Sequence, residues 1–192
     1  MDLQRLHDLA DRIAGEERLD RIADPLATFL EEKVRPTKVG ELLGGDKWLG
    51  HSLHPALTDL PIGFWTSAMV ADLRGAPRIA DLFVGLGVAT AAPTAAAGWI
   101  DWTYLDGRSR RVGLAHAALN VSAIAGYAAS LVFRAKGKRA RGVAVSFAAA
   151  GAATAAGYLG GRLAFEKEEA GKPVLDEESL GELVAPTVLK AS

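Results

Sequence analysis

Leu49-Gly50-His51-Ser52-Leu53-His54-Pro55-Ala56-Leu57-Thr58-Asp59-Leu60-Pro61-Ile62-Gly63-Phe64-Trp65 joins a polar N-terminal arm to the first of four long apolar segments. It carries two histidines and a carboxylate to the mouth of what reads as a membrane helix. Ionisable groups at such a depth are costly unless they are paired or used. The fold therefore turns on whether the apolar runs that follow span a bilayer.

From this stretch the first run extends over residues 55–73. The others cover 79–100, 112–133 and 142–165. Each has the roughly 20 residues needed to cross a hydrocarbon core of about 30 Å. Polar turns separate them, the most charged being Asp106-Gly107-Arg108-Ser109-Arg110-Arg111 and Lys136-Gly137-Lys138-Arg139. Trp48, Trp99, Trp102 and Tyr104 gather at segment ends, as aromatic belts do at a membrane interface. The abundant Ala and Gly suit helices that associate in lipid by close backbone approach, with Gly157 and Gly161 forming one G-x-x-x-G pair. Although 49% of the residues are hydrophobic, a fraction compatible with a soluble protein, the charges concentrate before Trp48 and after Phe165. That segregation favours a bilayer over a water-soluble helical core.

The predicted fold is all-α: an integral membrane four-helix bundle with an amphipathic N-terminal helical arm. Residues 1–48 form the arm and a connector, 49–165 the bundle, and 166–192 a polar, flexible tail. In the arm, Leu3, Leu6, Ala10 and Ile13, then Leu19, Ile22, Leu26 and Phe29, recur at helical spacing. Gly15 and Pro25 predict two or three short helices there. Such an arm packs on the polar end of the bundle, lies on the membrane surface or binds a partner helix. His7 reads as a surface histidine, and residues 36–47 as a turn-rich connector. Lysine and arginine lean slightly toward the side holding the N-terminus and the Arg108–Arg111 loop. The expectation is a multi-pass cell-membrane protein with both termini cytoplasmic.

Several function classes drop out. A net charge of −1, with no basic block interleaved with aromatics, gives no reason for nucleic-acid binding. Without cysteine the chain builds no disulfide, thiolate zinc site or iron–sulfur cluster of its own. Ser67, Thr90 and Ser122 have no histidine at a matching depth, so no catalytic nucleophile is supported. The glycines at 85/87 and 157/160/161 lack the strand–turn–helix setting of a phosphate loop.

Threading the runs up, down, up and down brings His51, His54, Asp59, Asp101, His116, Asn120, Tyr158 and Arg162 to one end of the bundle. Neutral imidazoles on facing helices there suit a haem iron or a transition metal, with an amide or carboxylate orienting the second ring nitrogen. His54 and His116 are the first-choice ligands, His51 a third metal ligand, and Asp59, Asn120 and Arg162 supporting groups. Because Pro55 biases its predecessor away from helix, the His51/His54 pair is loosely placed. The structural alternatives are a loop cap for His51, a carbonyl bond for His54, a bond from His116 to Asn120 or Asp59, and an Asp59–Arg162 ion pair. At the other end Asp72, Arg74, Arg78 and Asp81 read as local ion pairs across a tight turn.

Residues 49–73, the run Arg111-Val112-Gly113-Leu114-Ala115-His116-Ala117-Ala118-Leu119-Asn120 and Gly157-Tyr158-Leu159-Gly160-Gly161 resemble the four-helix membrane domain of unknown function numbered 2231. The opening of the chain, through Arg35-Pro36-Thr37-Lys38-Val39, is similar to actinobacterial members in which this domain precedes a Rieske-type 2Fe–2S domain. In those relatives a segment like Pro173-Val174-Leu175-Asp176-Glu177 leads into the iron–sulfur domain. The resemblance implies that a cluster, if one serves this chain, belongs to a partner in trans. Ser52 stands where relatives typically carry proline, and Arg162 where many carry histidine. The family has no activity to transfer, and the resemblance implies a redox setting. The functional expectation is a non-catalytic membrane module for redox partners, holding haem b or a transition metal through its histidines. The alternatives are a structural anchor or homo-oligomerising protein, and a small ion or metal transporter using Asp59, His116 and Arg162.

Overall fold

The computed structural model describes residues 3–171, and among them the chain is helical with no strand. Helices α1 (Leu3–Gly15) and α2 (Asp20–Phe29) form the arm, joined by a short 3-10 turn. Gly15 ends α1 as expected, whereas Pro25 lies inside α2, which runs on into a π-helical turn over Leu30–Val34. The connector is more ordered than its glycines predict, because it folds into α3 (Lys38–Gly44) and α4 (Asp46–Leu49). Thr37 caps α3 by accepting from the Gly40 amide at 3.1 Å. Gly45 ends α3 at φ 84°, and a Cβ there would meet the His51 carbonyl at 2.7 Å. The glycine lets the arm turn tightly into the bundle.

Four long helices follow: α5 (Leu53–Leu73), α6 (Pro77–Trp102), α7 (Gly107–Ala135) and α8 (Arg139–Gly171). α6, α7 and α8 are long and apolar enough to cross a membrane. α5, at 21 residues, spans roughly 31 Å at 1.5 Å per residue, but it is not among the helices apolar enough. His54, Asp59, Asp72 and two prolines lower its hydropathy. Of the four expected spans, then, three meet both requirements and the fourth meets only the length. Pro55 falls in the first turn of α5, where backbone N–H groups lack helical partners in any case. It therefore does not displace His54 from the helix. α8 stays helical past Phe165 to Gly171; the remainder of the expected tail, with the 173–177 segment, lies outside the described residues.

α5 pairs with α6 and α7 with α8 as antiparallel hairpins, α6 lies beside α7, and α8 closes against α5. α5 and α7 thus face each other diagonally across the centre. Large apolar side chains such as Val70, Leu82, Val121 and Val132 point outward, as a lipid-facing surface requires. The seam between α5 and α7 buries Pro61, Trp65 and Ala68 on one side and Ala123, Tyr127 and Ser130 on the other. The Trp65 and Tyr127 rings stack at 4.1 Å with planes 10° apart.

Facing residues in this seam stand a constant 62 positions apart, the separation of Asp72 from Arg134. Trp65 and its stacked partner Tyr127 are related in the same way, and the same spacing separates the buried positions Pro61 and Ala123, and Ala68 and Ser130. The loops repeat as well: Gly75 at φ 69° and Gly137 at φ 72° close the two hairpins. Their flanking amides make the same bonds, Ala76 N–H to the Ala71 carbonyl and Lys138 N–H to the Phe133 carbonyl, both at 2.9 Å. The two hairpins thus repeat one another in spacing and turn geometry, as two copies related by a twofold axis along the bundle would. The trace of the repeat in the sequence is faint: His54-Pro55-Ala56-Leu57 against His116-Ala117-Ala118-Leu119, and the glycines that pair as 75/137 and 98/160.

The arm docks on α7 and α8. Ala10 and Ala14 are buried against Val112 and Leu159, and Ala23 and Ala27 against Trp102. Small side chains at four-residue spacing let the helices approach closely. Trp102 is therefore covered by the arm and donates to the Arg110 carbonyl at 2.9 Å, whereas Trp48 and Tyr104 are exposed as a belt requires. Arg111 grips Asp20 through two hydrogen bonds of 2.8 and 2.6 Å and donates to the Ala14 carbonyl. Arg110 reaches Asp24 and Glu31, and both Arg108 and Arg162 reach Asp11.

The hydrogen bond from Arg111 holds the Asp20 carboxyl below the ordinary carboxylate range. A carboxylate whose pKa is depressed by folding supports the docked arm above its ordinary pKa. That support fades as the pH falls through the lowered value. We expect pepsin to clip the arm increasingly below about pH 4. Asp20→Asn should expose it to a neutral protease at pH 7, and pH-independent cleavage of the unmodified chain would contradict this.

Candidate functional site

At the arm end of the seam the first pair of facing residues is His54 and His116. Their ring centroids are 6.3 Å apart and their planes 88° to each other. Each ring is fixed by the second helix of its own hairpin. His54 Nδ1 lies 2.9 Å from the Thr94 carbonyl, and His116 Nδ1 lies 2.8 Å from the Ala156 carbonyl. In both cases the carbonyl is 40 residues further along the chain. A carbonyl only accepts, so both rings carry a proton on Nδ1, and in the neutral ring Nε2 is then the nitrogen with the lone pair.

One helical turn beyond each carbonyl is a glycine against which the ring lies. A Cβ on Gly98 would sit 2.8 Å from His54 Cε1, and one on Gly160 would sit 2.8 Å from His116 Cε1. Glycine is needed here for space, because any side chain would push the imidazole off its carbonyl. Thr94, which is buried, adds a bond from its hydroxyl to the Leu57 carbonyl at 3.3 Å, tying α6 to the first turns of α5.

The other expected site residues fall in three groups. Asn120 belongs to the pair: its amide nitrogen donates to His116 Nε2 at 3.0 Å and to the His116 carbonyl at 3.0 Å. His51 precedes the cap of α5, is exposed, and places Nδ1 2.9 Å from the Ser52 carbonyl. It therefore shares no helical face with His54. Ser52 donates to Asp101, bracing the start of α5 against the end of α6. Asp59 is exposed on α5, and among the described residues no bond joins it to His116 or Arg162. Arg162 turns to the arm and bonds Asp11 at 2.6 Å. Among the described residues no three of His, Cys, Asp or Glu stand close enough to hold a metal ion, so the three-histidine set is not assembled. His7 is exposed, as expected, and meets the Tyr158 ring edge-on at 6.1 Å.

The far end of the seam holds a second polar layer. Asp72 and Asp81 do not form local pairs with Arg74 and Arg78. They alternate with Arg134 and Arg139 in a closed ring: Asp72 to Arg134 at 2.5 Å, Arg134 to Asp81 at 2.9 Å, Asp81 to Arg139 at 2.9 Å and Arg139 to Asp72 at 2.6 Å. Each of the four long helices contributes one charge. Ser130 and Ser146 complete the ring from inside, Arg134 Nε donating to Ser130 Oγ at 2.9 Å. The sequence-local reading failed because the partners sit in the other hairpin; the repeat itself would have aligned Asp72 with Arg134.

A family model described as a predicted membrane protein, DUF2231, matches residues 50–170. Neither a curated protein nor a solved structure matches the chain.

Proposed function

We propose, for a chain that belongs to the DUF2231 family of predicted membrane proteins, that the bundle is a membrane redox module in which His54 and His116 ligate a haem iron. The observation that carries this reading is the facing pair itself. Two imidazoles bound head-on to one ion would put their ring centroids about 6 Å apart, and the separation here is 6.3 Å. Each Nδ1–H is held by a backbone carbonyl, the support that fixes a ligating histidine's tautomer and orientation. Among the described residues no third His, Cys, Asp or Glu joins the two imidazoles, which leaves a bare transition metal short of ligands. Haem brings its own equatorial nitrogens and needs axial ligands alone.

When bound, haem would supply one-electron transfer. His54 and His116 would hold it between the two hairpins, whose outer faces carry exposed apolar side chains. A Rieske-type iron–sulfur protein in trans is the partner that the family resemblance favours. A second reading has its own observation: both Nδ1 atoms and His116 Nε2 already have hydrogen-bond partners, as a purely structural pair in an anchor would. An absorption spectrum of the detergent-purified protein separates the two. We expect a Soret band that disappears when His54 and His116 are both replaced by alanine. A colourless preparation that takes up no added haemin overturns the haem reading and leaves the anchor.

A further inference from the structure

The internal repeat allows the two histidines to be compared position by position, and the bonding of their rings differs at Nε2. His54 and His116 match in their carbonyl bond, its separation along the chain and the glycine behind the ring. One turn after each histidine the copies diverge. Thr58 follows His54 and turns its hydroxyl back to the Pro55 carbonyl at 2.6 Å. Asn120 follows His116 and donates to its Nε2 at 3.0 Å. Among the described residues His54 Nε2 has no hydrogen bond, so its lone pair is free, whereas the lone pair of His116 is in use.

We infer that the two ligands are unequal by construction: His54 is the permanent one, and His116 is a displaceable one that Asn120 competes for. This inference rests on the haem reading above. For His116 to ligate, the Asn120 amide must give up Nε2 and keep only the His116 carbonyl. A small neutral molecule that binds ferrous iron, of the class of carbon monoxide or dioxygen, thus competes at the His116 side against a weakened ligand. On the His54 side none of the described residues competes in this way. The expected function is a redox centre with one exchangeable position, beyond a sealed bis-histidine electron carrier.

The test uses the full chain in detergent with haem bound and carbon monoxide as the probe. Dithionite-reduced protein is expected to shift its Soret band on adding carbon monoxide. Asn120→Leu frees the His116 lone pair and should lower carbon monoxide affinity about tenfold, the worth of one hydrogen bond. It should also move the ferric spectrum toward the low-spin, six-coordinate form. His54→Ala should lose haem, and His116→Ala should retain it in a high-spin form. A ferrous protein inert to carbon monoxide, or an Asn120→Leu spectrum and affinity unchanged from the parent, overturns the inference while leaving the haem reading intact. Absence of any Soret band in the parent overturns both. Because Asn120→Leu leaves both histidines in place, its result stands even if His116→Ala does not fold.

Discussion

Arg134→Met is expected to lower the stability of the bundle by about 3 kcal/mol, the low end of what breaking a buried ion pair costs. The side chains of Arg134 and Asp72 retain 2% and 4% of their exposure. Removing the guanidinium strips Asp72 of one partner and leaves Ser130 and Ser146 without the donors that point at them. Arg139 still reaches Asp72 at 2.6 Å, which keeps the loss from being larger. The contrast with Arg139→Met makes the prediction specific. Arg139 is 35% exposed, so its loss should cost no more than about 1 kcal/mol. Unfolding in mixed micelles at rising dodecyl sulfate, followed by far-ultraviolet dichroism, measures both. Equal effects would mean that burial does not govern the ring.

Gly87→Ala should be nearly as damaging, at about 2 to 3 kcal/mol, although it adds one methyl group. A Cβ at Gly87 would lie 2.2 Å from Trp65 Nε1 and 2.4 Å from Cδ1. The indole has nowhere to go, since its other face is stacked on Tyr127 at 4.1 Å. Trimming the indole should restore the loss, so Trp65→Leu in the Gly87→Ala background is expected to recover more than half of it. Trp65 Nε1 is buried without a hydrogen-bond partner, so replacing the indole forfeits packing area and no polar contact. The same micelle titration reads both variants. A fully stable Gly87→Ala protein would mean that the α5–α6 contact yields easily.

These two positions also show what was legible in the sequence. The long helices announce themselves through the length of their apolar runs, and alternating direction is enough to bring His54 and His116 to one level. What chain order hides is partnership across hairpins. Asp72 lies close in sequence to Arg74 and Arg78 but bonds Arg134, because α5 and α7 face each other along the seam. Asp59 and Arg162 share a depth with the histidines, yet depth says nothing about direction: one is exposed and the other turns to the arm. His51 and His54 have the spacing of a shared helical face, but the cap at Ser52 falls between them. Asn120 was found because it lies four residues after His116, a separation that helix geometry fixes locally. The glycines behind the imidazoles were not, since a residue whose role is to be small gives no signal of its own until its neighbour is known.

The ring of opposite charges also bears on how the protein is made. Both carboxylates belong to the hairpin that leaves the ribosome first, and both guanidiniums to the one synthesised after it. At about 5–20 residues per second, the early hairpin waits seconds for its counter-ions. During that interval neither carboxylate has the guanidinium it meets in the folded bundle. Insertion of the second hairpin is then the step that closes the ring, so the two halves of the bundle are locked together only after the whole of α7 and the start of α8 have been made.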